Sequence, residues 1–278
     1  MIWKIKNNSI SFNEPIVMGV LNITPDSFYD GGKYLDSERA CAAAEKMKND
    51  GADIIDIGGE SSRPGAKPIS ESEELERVIP VIKKIAGRVE ISISIDTYKV
   101  DVAEKALNSG AVIINDISGC EDSKMADLVK KSDAGIVIMH KHGSPETMQD
   151  NPIDAKTVMT EVMDFLKKRT DQLIEFGIKK EQIVIDPGIG FGKTFSANEK
   201  LIAELKKITA LDFPVLIGAS RKKFIGEIIK KNPNERLAGS LAAHVIAYLN
   251  GAKIIRTHDV AETRDALNVA RKILNFKI

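Results

Sequence analysis

The chain has 278 residues, 43% of them hydrophobic, and its 40 basic and 40 acidic side chains cancel to zero net charge, so it can bury about three quarters of its unfolded surface without staples. Balanced charge excludes recruitment of nucleic acid or an anionic membrane by overall electrostatics, and any affinity for anions has to be local. Two cysteines without metal-ligand or redox spacing, and no apolar run near the ~18 residues of a membrane span, lead us to expect a soluble cytoplasmic protein with reduced thiols.

In chain order, residues 1–14 read as an N-terminal β-hairpin. Segments 3–5 and 9–12 flank Asn7-Asn8 and are placed to plug the lower end of the fold built by the rest of the chain. Residues 1–8 show neither the apolar core nor the cleavage site of a signal peptide. Residues 15–278 then carry eight short apolar runs rich in Val and Ile: 16–21, 52–59, 91–95, 112–114, 136–139, 183–185, 215–219 and 253–255. Each stops at a polar or charged residue, in turn Asn22, Glu60, Asp96, Asn115, His140, Asp186, Ser220 and Arg256. Helix-length segments separate the runs. Asp36 or Ser37 is expected to cap one that ends at Gly51, Gly110 and Gly177 sit where C-terminal glycines belong, and Leu237, Leu241, Val245 and Leu249 form a stripe suited to a barrel wall. Eight βα units predict an α/β chain folded as one (β/α)₈ TIM barrel in a single domain, with its chemistry at the C-terminal ends of the strands.

The strand ends have distinct characters. In 91–96 the isoleucines alternate with Ser92, Ser94 and Asp96, so the isoleucines meet the helices while the serines and Asp96 face the barrel. Asp96 then serves the mouth or caps the next helix. Arg256 and His258 share one face of the last strand, a good cradle for phosphate oxygens unless Asp259 pairs with one of them. Ser220-Arg221-Lys222-Lys223 adds a basic cluster where barrel enzymes often hold phosphate, some of it solvated.

The glycine-rich 186–194 is neither a Walker loop, because Pro187 stands where glycine is needed, nor a dinucleotide fingerprint, because Lys193 takes the third glycine's place. It reads as a turn that brings backbone close to a ligand, with Phe191 able to stack on a flat ring, or as a turn of purely conformational purpose. His140-Lys141-His142 lacks the further histidines that a metal site of its kind uses. Asp53, Asp56 and Asp116 lie near strand ends without a companion feature and receive no role, Asp56 being a candidate for structural burial.

Seven blocks, in order and over nearly the whole chain, resemble the dihydropteroate synthases. They are Asn22-Ile-Thr-Pro-Asp-Ser-Phe28, Asp56-Ile-Gly-Gly-Glu-Ser-Ser-Arg-Pro-Gly65, Ser94-Ile-Asp-Thr97, Asn115-Asp-Ile-Ser-Gly119, Asp186-Pro-Gly-Ile-Gly-Phe-Gly192, Ser220-Arg-Lys222 and Arg256-Thr-His-Asp259. The resemblance implies a folate-biosynthesis transferase and sulfonamide target. Such an enzyme joins 4-aminobenzoate to a dihydropterin pyrophosphate by dissociative substitution. It further implies that Asp96, Asn115, Asp186, Met139 and Lys222 bind the pterin, and that Asn22, Arg63, Arg256 and His258 bind the pyrophosphate. Mg²⁺ is expected at Asn22, and Phe28, Ser62, Pro64, Phe191, Lys222 and Lys223 are expected around the aminobenzoate. Lys222, Arg256, His258 and Asp186 would carry the catalysis, in a homodimer.

Three departures accompany the resemblance. Ser62 stands where threonine is usual, Lys223 where serine is usual, and Lys141-His142 replaces a pair that is usually Met followed by Gln or Arg. A pterin-dependent methyltransferase that hands its methyl group to a corrinoid shares the barrel and the acids, but it has no use for the cradle of Arg256, His258 and 220–222. A non-catalytic pterin-binding paralogue is disfavoured by the intact set of strand-end residues.

Overall fold

Eight parallel strands, each one or two residues off the run expected for it, form one sheet in which 183–186, 135–139, 113–116, 92–96, 54–58, 16–22, 254–257 and 216–217 lie side by side in that order. The computed structural model describes residues 1–23, 32–61, 65–143, 146–148 and 150–277. The strands are β3 (Ile16–Asn22), β4 (Ile54–Gly58), β5 (Ser92–Asp96), β6 (Ile113–Asp116), β7 (Gly135–Met139), β8 (Ile183–Asp186), β9 (Leu216–Ile217) and β10 (Ile254–Thr257). The two sheet edges meet at a single parallel bridge, Ile185 to Val215, where Ile185 N–H donates to Pro214 at 3.0 Å. Proline has no N–H to return, which keeps that seam short.

Register places like rows side by side around the barrel. Asn22, Gly58, Asp96 and Asn115 are successive partners across β3 to β6, and Asp56 and Ser94 are partners one row below. Because side chains alternate, every second residue faces in. The lower inward positions Ile16, Met18, Ile54, Ile113, Val137, Val184, Leu216 and Ile254 form one apolar cluster with Trp3, Ile5 and Phe12. The hairpin, β1 (Ile2–Ile5) paired antiparallel with β2 (Asn8–Ser11), therefore does plug the lower end. Trp3 is fully buried, and its indole N–H donates to Gln182 O at 2.8 Å. Outward-facing Ile55, Ile57, Ile93, Ile95, Ile114, Ile136 and Ile185 belong to a second, larger cluster under the helices. The bottom is packed and the top is polar, the division on which a barrel enzyme depends.

The helices are α1 (Gly32–Asn49), α2 (Glu71–Arg88), α3 (Val100–Asn108), α4 (Ser123–Ser132), α5 (Val158–Phe176), α6 (Phe195–Ala203), α7 (Leu205–Thr209), α8 (Lys223–Ile229), α9 (Leu237–Leu249) and α10 (Val260–Leu274). Two expectations need correction. Helix α1 begins at Gly32, so Asp36 and Ser37 lie inside it and neither caps it. In α9 the residues turned to the barrel are Ser240, His244 and Ala247, while Leu249 is 44% exposed, so the leucine stripe does not face the wall. The buried face is chosen by the polar chain Thr257–Thr263–His244: the Thr263 hydroxyl lies 3.1 Å from that of Thr257 and 3.4 Å from His244 Nδ1. Among the described residues no helix is long and apolar enough to cross a membrane.

Candidate active site at the mouth of the barrel

A guanidinium joins three strands at the mouth. Arg256 Nε donates to Asp56 Oδ2 at 2.7 Å, and its Nη2 donates to Asp96 Oδ2 at 2.7 Å. The same Asp56 Oδ2 accepts from Asn115 Nδ2 at 3.0 Å. Asp96 thus faces the mouth, and α3 takes Lys99 as its N-cap without a side-chain cap bond, which decides against the capping alternative. Burial works against the charge on Arg256, but Asp56 and Asp96 outweigh it and raise its pKa. Asp96 is pushed up to about 7, by burial first and by Asp56 as a like charge, against the pull of Arg256. Removing one member of so buried a group would cost about 3–5 kcal/mol, because a charge is left uncompensated.

Across the mouth, Asp186 accepts from Gly188 N–H at 2.7 Å, and burial raises its pKa to about 6 in spite of that bond. Met139, Phe191, Ile117 and Met148 form a small apolar cluster of their own beside it, with Tyr98 against it. Lys222 holds its ammonium 4.4 Å from the centre of the Phe191 ring. Flat apolar walls flanked by carboxylates and an amide make a slot for a polar heteroaromatic ring.

The glycine turn is held tightly. A Cβ on Gly188, at φ +70°, would lie 1.9 Å from His140 O, and one on Gly192, at φ +66°, would lie 2.2 Å from His142 O. The conformational alternative therefore accounts for these two glycines. Beneath them Lys193, only 2% exposed, donates to Gly188 O and Phe191 O at 2.9 Å each and to His140 O at 3.2 Å. Burial brings its pKa down to about 7.

His258 has an exposed side at the mouth; its backbone N–H donates to Ser220 Oγ at 3.2 Å and its Nδ1 lies 3.0 Å from that hydroxyl. The surrounding wall first, then Arg256 and Arg221, lower its pKa, so in the ligand-free protein it offers a neutral ring and Arg256 is the standing cation. Asp259 pairs with Arg221, whose Nε donates to it at 3.0 Å, and with neither Arg256 nor His258 as the sequence had left open. Lys223 is exposed at the start of α8, its ammonium 6.0 Å from the Phe195 ring. Asn22 ends β3 with Oδ1 toward the gap over Gly58, where an added Cβ would meet it at 3.7 Å and Asp96 Cβ at 3.5 Å. Phe28, Ser62, Arg63 and Pro64 lie outside the described residues.

Two further strand-end residues are held by their own partners. Glu60 accepts from Tyr98 Oη at 3.0 Å, Lys99 Nζ at 2.7 Å and Ile69 N–H at 3.1 Å, and lines one small cavity together with Asp96 and Ile117. His140 is buried edge-on to Phe165, and burial, then Lys193, takes its pKa down to about 3. Sequence reasoning missed Asp56 and Lys193. Asp56 had a signal, since its place in Ile54-Ile55-Asp56-Ile57-Gly58 gives it the inward parity of Ile54. Lys193 had none, because a lysine after a glycine turn reads as solvated.

Residues 18–258 match the family model described as "Pterin binding enzyme". The Escherichia coli (strain K12) dihydropteroate synthase is 43% identical over 98% of this chain and 96% of its own. The chain belongs to the dihydropteroate synthase family. It is a transferase of that class. The Yersinia pestis dihydropteroate synthase, solved in a sulfonamide drug complex, superposes with a TM-score of 0.92 at 38% identity, covering 99% of this chain and 100% of that one. The Xanthomonas albilineans dihydropteroate synthase, solved in complex with 7,8-dihydropteroate, gives 0.86 at 38% identity over 96% and 97%. Lys141 places its ammonium 6.0 Å from the centre of the Tyr98 ring.

Proposed function

We propose that this protein joins 4-aminobenzoate to (7,8-dihydropterin-6-yl)methyl diphosphate, making 7,8-dihydropteroate and diphosphate. The observation that carries the reading is the convergence of Asp96, Asn115 and Asp186 on an apolar slot formed by Met139 and Phe191, with Arg256 at its edge. In it the carboxylates and the amide accept and donate to the pterin edge, whose buried polar groups would otherwise cost about 1–3 kcal/mol each. Met139 packs on one side of the ring, and Lys222 donates to it.

The bond from the pterin methylene to the diphosphate oxygen breaks with its electron pair going to the diphosphate. The cation left on the methylene is shared with the pterin ring. The aminobenzoate nitrogen then forms the new C–N bond and sheds a proton, so no strong base is required. Arg256 offers fixed positive charge to the departing oxygens, and His258 an imidazole that gains a proton as that charge arrives. Phe28, Ser62, Pro64, Phe191, Lys222 and Lys223 are assigned to the aminobenzoate side, and Arg63 joins Asn22 on the diphosphate. Among the described residues no group of three or more His, Cys, Asp and Glu could cage a metal. A single hard oxygen, Asn22 Oδ1, suits Mg²⁺, which takes most of its ligands from water and substrate phosphate. Bound there, Mg²⁺ would neutralise charge on the leaving diphosphate.

A single-domain homodimer in the cytoplasm belongs to the same reading, and sedimentation should give twice the 30.4 kDa chain mass. The function is tested by mixing the purified protein with both substrates and Mg²⁺. Dihydropteroate and free diphosphate should form in equal amounts. No product where a known synthase works would refute the assignment.

A further inference from the structure

We propose that Asp56 is a positioning residue for the reaction, setting the Asn115 amide and the Arg256 guanidinium together, so that recognition of the pterin edge and the grip on the leaving group share one anchor. The inference rests on the roles given above to Asn115 and Arg256. Asp56 is fully buried one row below the rim, whereas Asn115 and Arg256 come from β6 and β10, each two strands away from β4. Both donate to the same oxygen, Oδ2, at 3.0 Å and 2.7 Å.

The chemistry fixes orientation without help. Asp56 Oδ2, paired with the Arg256 guanidinium, is an acceptor, so Asn115 must turn its NH₂ down to it, and the amide's carbonyl oxygen is then the atom offered to the mouth. Arg256 commits Nε to Asp56 and Nη2 to Asp96. A pterin N–H that engages Asp96 weakens the second of these bonds. The bond to Asp56, out of the ligand's reach, stays and keeps the guanidinium in place through the reaction.

The test uses double-mutant cycles, with melting curves to confirm that each variant folds. Turnover by the wild type is measured first, because its absence would refute the proposed function and not the role of Asp56. Titration with 6-hydroxymethyl-7,8-dihydropterin, which lacks the diphosphate, should show Asp56→Ala losing affinity by about tenfold or more. The same change should add less than about threefold to the loss in Asn115→Ala, since the anchored group is already gone. On kcat with both substrates, Asp56→Ala should cost about tenfold or more alone and less than about threefold on top of Arg256→Ala.

A reciprocal exchange covers the case in which Asp56→Ala does not fold. Asn115→Asp sets two carboxylates together and should weaken pterin binding, and adding Asp56→Asn should restore about tenfold by returning one amide to one carboxylate. A non-specific structural role predicts no such rescue. Losses that simply add in the cycles, or an exchange that rescues nothing, would overturn the inference.

Discussion

Burial holds the two rim carboxylates near neutrality, Asp96 at about 7 and Asp186 at about 6, while Arg256 stays charged between Asp56 and Asp96. A pterin edge that donates N–H groups binds the ionised acids, so protons compete with it. Affinity for the bare pterin should therefore fall by about tenfold per unit below pH about 7, as Asp96 takes up a proton, and more steeply below about 6, as Asp186 does. Titration calorimetry between pH 5 and 8 checks this: an affinity flat over that range would remove both acids from the recognition set, and a profile that never steepens below pH 6 would remove Asp186 alone. The effect on folding has the opposite sense. Both folded pKa values lie above the 3.8 of an ordinary aspartate, so the folded chain holds protons that the unfolded chain releases. Stability from these groups is present below about pH 4 and is lost as pH rises through about 6 and 7.

At the scale of elements, the hairpin and the glycine turn bring order to opposite ends of the barrel. Strands β1 and β2 contribute little sheet of their own, and their value lies in Trp3 and Ile5 filling the lower interior. Trp3→Ala should cost about 3–5 kcal/mol, the loss usual for a large aromatic removed from a packed site. For a chain of this length that corresponds to a fall in Tm of roughly 6–10 °C. A change under about 1 °C in a melting experiment would show that the plug is dispensable. The turn works differently, since Lys193 ties His140, Gly188 and Phe191 through their carbonyls and so sets the ring of Phe191 at the slot.

Taken as a whole, the molecule separates stability from chemistry along the barrel axis, with an apolar cluster at the lower end and a hydrogen-bonded polar group at the mouth. Changes at the two ends should then be energetically independent. The stabilisation that saturating bare pterin confers should be the same in Trp3→Ala as in the wild type, to within about 0.5 kcal/mol. Thermal shifts with and without ligand measure it, and a ligand increment that shrinks in the variant would mean that the plug shapes the site.

Legibility followed distance along the chain. The eight strands, their polar stops and the inward set Ser92, Ser94 and Asp96 could be read from local alternation, and the hairpin from Asn7-Asn8 between short strands. Asp56 could not be assigned a role, because its partners Asn115 and Arg256 lie 59 and 200 residues away. Nor could the rotation of α9, where a polar chain through Thr263 and Thr257 overrode a leucine stripe, or the burial of Lys193 beneath a turn. What the sequence determined by itself was periodicity, hence the barrel, which residues end each strand, and the family they resemble. Only the tertiary structure decided which of those residues bind one another, because hydrogen bonds and charge compensation depend on strands that meet only when the barrel closes.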